Sequence, residues 1–144
     1  MRVFKRLETL GQLELYDTPL TELAGFNALT SIEYLYVYYN DDMTSFSGFT
    51  GLVTAEEFDI EDMPLLVEIP DFGSLETLTD YFYFYELPSL TSLPAFSSLT
   101  SAGDIYLEYM DGLIDVDGFN ALTTVSGDVY VYGNDSLATM VCPA

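Results

Sequence analysis

The chain has 144 residues, enough for one domain with its own core and too few for two comfortable ones. Its 24 Asp+Glu against 3 Lys+Arg give a formal net charge of −21, a field that repels phosphate backbones and anionic lipid and argues against nucleic acid and membranes as partners. Hydrophobic residues at 49% against 19% charged nevertheless describe a folded chain, and the absence of His and Trp removes the usual residues of several chemistries.

The first six residues carry all three basic side chains, Arg2, Lys5 and Arg6. They resemble the charged start of an export signal, but Glu8, Thr9, Gly11, Gln12 and Glu14 interrupt the apolar stretch such a signal needs. Residues 1–6 are therefore read as a basic segment or cap; if the protein is exported, its signal is expected to have been removed, or the chain to be a fragment of something longer. Cys142 is the single cysteine and has no internal disulfide partner. No run of 18 apolar residues occurs, so no membrane insertion is expected.

From Leu7 onward the chain repeats. Cutting it before Leu7, Leu29, Leu52, Leu75, Leu99 and Leu122 gives six units, 7–28, 29–51, 52–74, 75–98, 99–121 and 122–144. Near the middle of each lie two apolar residues two apart: Leu13/Leu15, Leu35/Val37, Phe58/Ile60, Phe82/Phe84, Ile105/Leu107 and Val129/Val131. A spacing of two sends both side chains to one face of a short strand. A second apolar pair follows, Leu20/Leu23, Met43/Phe46, Leu66/Ile69, Leu90/Leu93, Leu113/Val116 and Leu137/Met140. Five units close on a phenylalanine: Phe26, Phe49, Phe72, Phe96 and Phe119. One strand per ~23 residues with apolar residues at fixed offsets predicts a β-rich solenoid whose strands stack into one parallel sheet. No long apolar stripe at the helical period is present, so the return arms are expected to be extended or 3₁₀.

The segment LTSIEYLYVYYNDDMTSFSGF carries the pattern L-x-x-L-x-L-x-x-N with other apolar residues standing for Leu, and LTTVSGDVYVYGNDSL follows it to Asn134. The chain is thus similar to the leucine-rich-repeat superfamily over about residues 7–140. It most resembles the receptor L-domain-like repeats of bacterial surface proteins. The resemblance implies a repeat solenoid and, for its location, the cell surface or the extracellular space. The turn asparagine of the pattern occurs here as Asn40 and Asn134, leaving four coils to satisfy those backbone groups otherwise.

The outward strand positions read, coil by coil, Gln12-Glu14-Tyr16, Tyr34-Tyr36-Tyr38, Glu57-Asp59-Glu61, Tyr81-Tyr83-Tyr85, Asp104-Tyr106-Glu108 and Asp128-Tyr130-Tyr132. Ten Tyr, seven acids and one Gln therefore fill 18 places with not one Lys, Ser, Thr or Asn. Such a face is either a soluble coat, since Tyr suits strands, or a contact surface, since rigid amphipathic rings suit interfaces. As a contact surface, rings and carboxylates select cationic groups, or sugars that stack on the rings while their hydroxyls donate to carboxylates. The expected partner is therefore a protein or glycan surface, preferably cationic. No cofactor is expected beyond loosely held divalent cations such as Ca²⁺ around Asn40, Asp41 and Asp42 or around Asp111, Asp115 and Asp117, because no EF-hand spacing is present. Glu57, Asp59 and Glu61 tempt a glycosidase reading, but an open sheet lacks the enclosed pocket that separates two carboxyl pKa values, so catalysis is not expected.

The sequence thus predicts a non-enzymatic extracellular or cell-surface adhesion module. Its alternative is a subunit that polymerises head to tail through uncapped solenoid ends. In that case Arg2, Lys5 and Arg6 would face an acidic last coil, with Cys142 near the junction.

Overall fold

The computed structural model describes residues 4–69 and 71–140. Among the described residues nine strands occur in chain order: β1 (Thr9–Tyr16), β2 (Glu22–Leu23), β3 (Ser31–Tyr38), β4 (Ser45–Phe46), β5 (Thr54–Glu61), β6 (Thr77–Tyr85), β7 (Ser101–Glu108), β8 (Thr124–Val125) and β9 (Val129–Tyr132). The long strands pair in parallel in the order β1-β3-β5-β6-β7, and β8 and β9 together pair with β7 as a broken sixth rung. This is the predicted solenoid, a parallel sheet with one rung per coil. Leu13 lies beside Leu35, Leu35 beside Phe58, Phe58 beside Phe82, Phe82 beside Ile105 and Ile105 beside Val129, so the inward pairs stack in the expected register.

Burial follows from that register. Leu35, Val37, Phe58, Ile60, Phe82, Phe84, Ile105 and Leu107 are all buried. The closing phenylalanines form a ladder on the opposite wall, with centroid separations of 5.3 Å for Phe26–Phe49, 6.0 Å for Phe49–Phe72, 5.5 Å for Phe72–Phe96 and 5.0 Å for Phe96–Phe119. Phe4 extends it by one ring, 5.6 Å from Phe26. Coils spaced by about 4.8 Å bring equivalent rings into the separation that offset stacking favours.

Of the two forms expected for the return arms, extended or 3₁₀, the structure has the extended one. No helix of any kind occurs among the described residues; the arms are extended, with β2 pairing β4 and single bridges from Ser45 to Glu68 and from Asp115 to Thr139. Each full coil instead bends at two tight turns closed by a backbone bond three residues long, for example Leu52 N to Phe49 O (3.1 Å) and Leu66 N to Met63 O (3.2 Å). The terminal coils depart from the expected core. Leu20 and Met140 are 40% and 48% exposed and Val129 46%, because no neighbouring coil covers them on one side among the described residues.

The turn asparagine behaves as a bracket between coils. Asn40 is buried; its Nδ2 donates to Leu15 O and Tyr38 O, and its Oδ1 accepts from the Thr18 N–H and hydroxyl. Asn134 repeats this with Leu107 O and the Met110 N–H. Met63, Leu87 and Met110 occupy the same place in the other inner coils, buried as plain hydrophobes.

The fourth unit is one residue longer than its neighbours, and the excess sits inside β6. The pairing slips between Leu78 and Tyr81, so Thr79 and Asp80 oppose the single residue Gly103 of β7. A Cβ on Gly103 would land on the Asp80 carbonyl oxygen, so this place in the next coil requires glycine.

Phe72→Ala is expected to cost about 3–5 kcal/mol by removing a ring from the middle of the ladder. Gly103→Ala is expected to cost about 1–3 kcal/mol through the clash, whereas Gly11→Ala, whose new methyl meets only Glu33 Oε2 at an ordinary 3.8 Å, leaves stability nearly unchanged. Urea unfolding of the three variants checks this ranking.

Candidate functional site: the tyrosine and carboxylate face

The register that buries the inward pairs lifts the intervening residues onto the opposite face in three rows. They run Gln12-Tyr34-Glu57-Tyr81-Asp104, Glu14-Tyr36-Asp59-Tyr83-Tyr106-Tyr130 and Tyr16-Tyr38-Glu61-Tyr85-Glu108-Tyr132. All thirteen sequence-predicted face residues, Tyr16, Tyr34, Tyr36, Tyr38, Glu57, Asp59, Glu61, Tyr81, Tyr83, Tyr85, Tyr106, Tyr130 and Tyr132, therefore share one surface. The middle of that surface is half-buried by its own neighbours, while Tyr16, Tyr130 and Tyr132 at the ends are exposed.

Rings and carboxylates engage each other across the strands. Tyr36 OH donates to Glu57 and Tyr38 OH donates to Glu14. Tyr106 and Tyr130 stack at 4.9 Å, and Tyr83 meets Tyr106 edge-on at 5.7 Å. The phenols are hard to ionise as a result. Burial, then the bond to Glu57, pushes Tyr36 up to about 12; the bond to Glu14 does the same for Tyr38, and burial followed by Glu108 for Tyr83. Tyr81 is raised by burial and by Glu57.

The acidic strand β5 is the electrostatic centre. Glu57, Asp59 and Glu61 project from one face at alternate positions, with tyrosine columns on β3 and β6 to either side. Burial, then the neighbouring Glu61 and Glu57 carboxyls, pushes Asp59 up to about 8. Its Oδ1 is shielded from solvent and has no hydrogen-bond partner among the described residues. Beside it lies a shallow hollow of about 270 Å³ lined by Tyr36, Tyr38, Tyr39, Asp59 and Glu61. A second, of about 350 Å³, is lined by Tyr81, Tyr83, Tyr106 and Glu108.

A further feature escaped the sequence reading. The residue after each long strand takes a left-handed backbone: Asp17, Tyr39, Asp62, Glu86, Tyr109 and Gly133, with φ between 49° and 69°. Four of them, Tyr39, Asp62, Glu86 and Tyr109, line a groove of about 410 Å³ along the edge of the face, together with Asp41 and Asp111. Burial and the adjacent Glu86 raise the Asp62 pKa. A strand end followed by an acid or a Tyr was the available signal, but neither residue type announces a positive φ.

The proposed cation positions fare differently. Asn40 commits its whole side chain to Leu15, Tyr38 and Thr18, so it is no ligand. Among the described residues no three carboxylates converge as a metal site would need. Of the assembly residues, Lys5 and Arg6 are exposed beside Phe4, while Arg2 and Cys142 lie outside the described residues. At the other end an apolar cavity of about 250 Å³ opens among Ile105, Leu107, Phe119, Leu122, Val125 and Met140.

The chain matched no protein-family model, no curated protein and no solved structure.

The raised carboxyls set the sign of the pH dependence. Asp59, Asp62 and Asp80 all hold protons more tightly folded than unfolded. Between about pH 4 and 8 the native state thus binds more protons, and stability rises as pH falls through that window. The melting temperature is expected to climb from pH 8 to pH 5 and to climb less in Asp59→Asn. A flat or falling wild-type profile contradicts this reading.

Proposed function

We propose that this protein is a non-enzymatic interaction module, working outside the cell or on its surface, that adheres through the tyrosine and carboxylate face to a cationic or carbohydrate ligand. The observation that carries the reading is the gathering of ten tyrosines and six acids, without a basic residue, on one face of the main sheet. Carboxylates supply long-range attraction for cations; rings supply cation–π contacts worth about 0.5–2 kcal/mol each and flat surfaces for sugar CH groups. The face is open and shallow, a geometry suited to contact and unsuited to sequestering a reaction from water. The bracketing role of Asn40 and Asn134 supports kinship with leucine-rich repeats as part of the same proposal.

A second reading rests on the solenoid ends. The outer edge of β1 and that of β8 and β9 pair with no strand among the described residues. Lys5 and Arg6 precede the first, and the apolar cavity opens at the other, in a last coil that carries Asp128 and Asp135. Exposed parallel edges of opposite charge favour stacking of one molecule on the next into a filament.

The two readings use different surfaces and separate by mutation. Replacing Tyr36, Tyr83 and Tyr130 together with Ser is expected to abolish binding to cationic peptides or glycans in pull-down assays without changing sedimentation. Reversing Lys5 and Arg6 to Glu is expected to abolish any filaments visible by negative-stain microscopy while ligand binding persists. Filaments indifferent to that reversal would remove the charge-paired junction.

A further inference from the structure

We propose that the hollow over Asp59 and Glu61 is a receptor for the guanidinium group of an arginine side chain on a partner protein. The inference rests on the contact-face reading and narrows it to one place and one chemical group.

Three observations converge there. The first is the shielded Asp59 Oδ1, an acceptor without a partner among the described residues. A shielded acceptor left without a partner is costly, so a ligand that supplies an N–H gains more than its charge alone. That favours groups that donate over a quaternary ammonium, which carries charge but no donor. The second is the paired carboxyls. Asp59 and Glu61 lie two residues apart on one strand face, their Cα atoms about 6.6 Å apart, so one planar fork of donors can address both. The third is the aromatic wall. Tyr36 and Tyr38 from the neighbouring strand and Tyr39 from the corner enclose the hollow on one side. A flat, weakly hydrated guanidinium stacks on such rings, while the compact, strongly hydrated ammonium of lysine does so less well. The neighbouring hollow at Tyr83 and Tyr106 has a single carboxylate, Glu108, and suits a weaker, secondary contact.

Proton linkage follows from the same geometry. The groups facing Asp59 are Tyr36 and Tyr38 on β3, Tyr83 and Tyr85 on β6, and Glu57 and Glu61 on its own strand. None is cationic, so without a ligand the acid retains a proton near neutral pH. An arriving guanidinium displaces that proton to solvent, and binding strengthens as pH rises from 6 to 9.

The test is calorimetric titration of the intact protein with three peptides of equal length, alternating Gly with Arg, Lys or citrulline. The Arg peptide is expected to bind at least tenfold more tightly than the Lys peptide, with citrulline weaker still. Binding at pH 7 should release a proton, read as a heat that differs between buffers of different ionisation enthalpy. Asp59→Asn removes a destabilising acid and should fold well; it is expected to weaken Arg binding about tenfold or more and to erase the proton release. Glu22→Gln, in β2 on the return arm and off the main sheet, leaves both unchanged. Equal binding of Arg and Lys peptides, or Asp59→Asn binding as wild type does, overturns the arginine receptor. If in that event the Tyr36, Tyr83, Tyr130 triple Ser variant still loses binding, the broader face reading survives. If no cationic peptide and no glycan binds wild type, both fail.

Discussion

Every residue of this solenoid has its own counterpart from the next coil as a neighbour, about 4.8 Å away. In the interior that condition is easily met, since Leu stacks on Phe and Phe on Phe, and the ladder from Phe4 to Phe119 results. On the outer face the same condition is dangerous for a chain with 24 acids, because carboxylates placed opposite one another repel. The three outer rows resolve this by alternation. Tyrosines separate Glu14 from Asp59, and each of Glu57, Asp59 and Glu61 has a tyrosine on both sides. Tyrosine is well suited as a spacer, since its hydroxyl donates to the carboxylate next to it, as Tyr36 does to Glu57. Where the alternation lapses, at Asp104 beside Asp128, the sixth rung breaks into β8 and β9; the Asp104 carboxylate takes the Asp128 N–H, over a Gly127 with no Cβ to block it.

Alternation across strands does nothing for repulsion along them. Glu57, Asp59 and Glu61 face the same way on β5, and the central acid, raised first by burial and then by Glu61 and Glu57, holds its proton more tightly than a free carboxyl. The coat and the contact surface are therefore not competing descriptions of this face. The spacing that lets an acidic sheet fold concentrates rings around carboxylates, and the one strand without rings of its own is left electrostatically unsatisfied.

Period, rung count and the register of inward and outward residues were legible in the sequence, because a 23-residue repeat and a spacing of two leave little freedom once coils must stack. The thirteen face residues follow from the same arithmetic. What stayed hidden depends on backbone detail or on neighbours. The left-handed turn at Tyr39, Asp62, Glu86 and Tyr109 costs about 1–2 kcal/mol per non-glycine residue, so side-chain type argued against it. The backbone row then creates a groove that no motif marks. Phe4 joins the ladder from outside the repeat, and Leu20 and Met140 match the apolar pattern yet lie exposed because their coils are outermost. The asparagine pattern was legible too: Asn40 and Asn134, read as turn residues that satisfy backbone groups, do bond to the backbone of the coil before.

The bulge at Thr79 and Asp80 carries a consequence for how such an array can change over time. Coils that stack in register are, to a first approximation, exchangeable parts, each in contact only with the next. Here an added residue in one coil presses a carbonyl into its successor, which accommodates it only because Gly103 offers no side chain. The fourth and fifth coils are thereby tied as an ordered couple: duplicated, deleted or shuffled singly, either would meet a neighbour it does not fit. At this junction the heritable unit is two coils and not one.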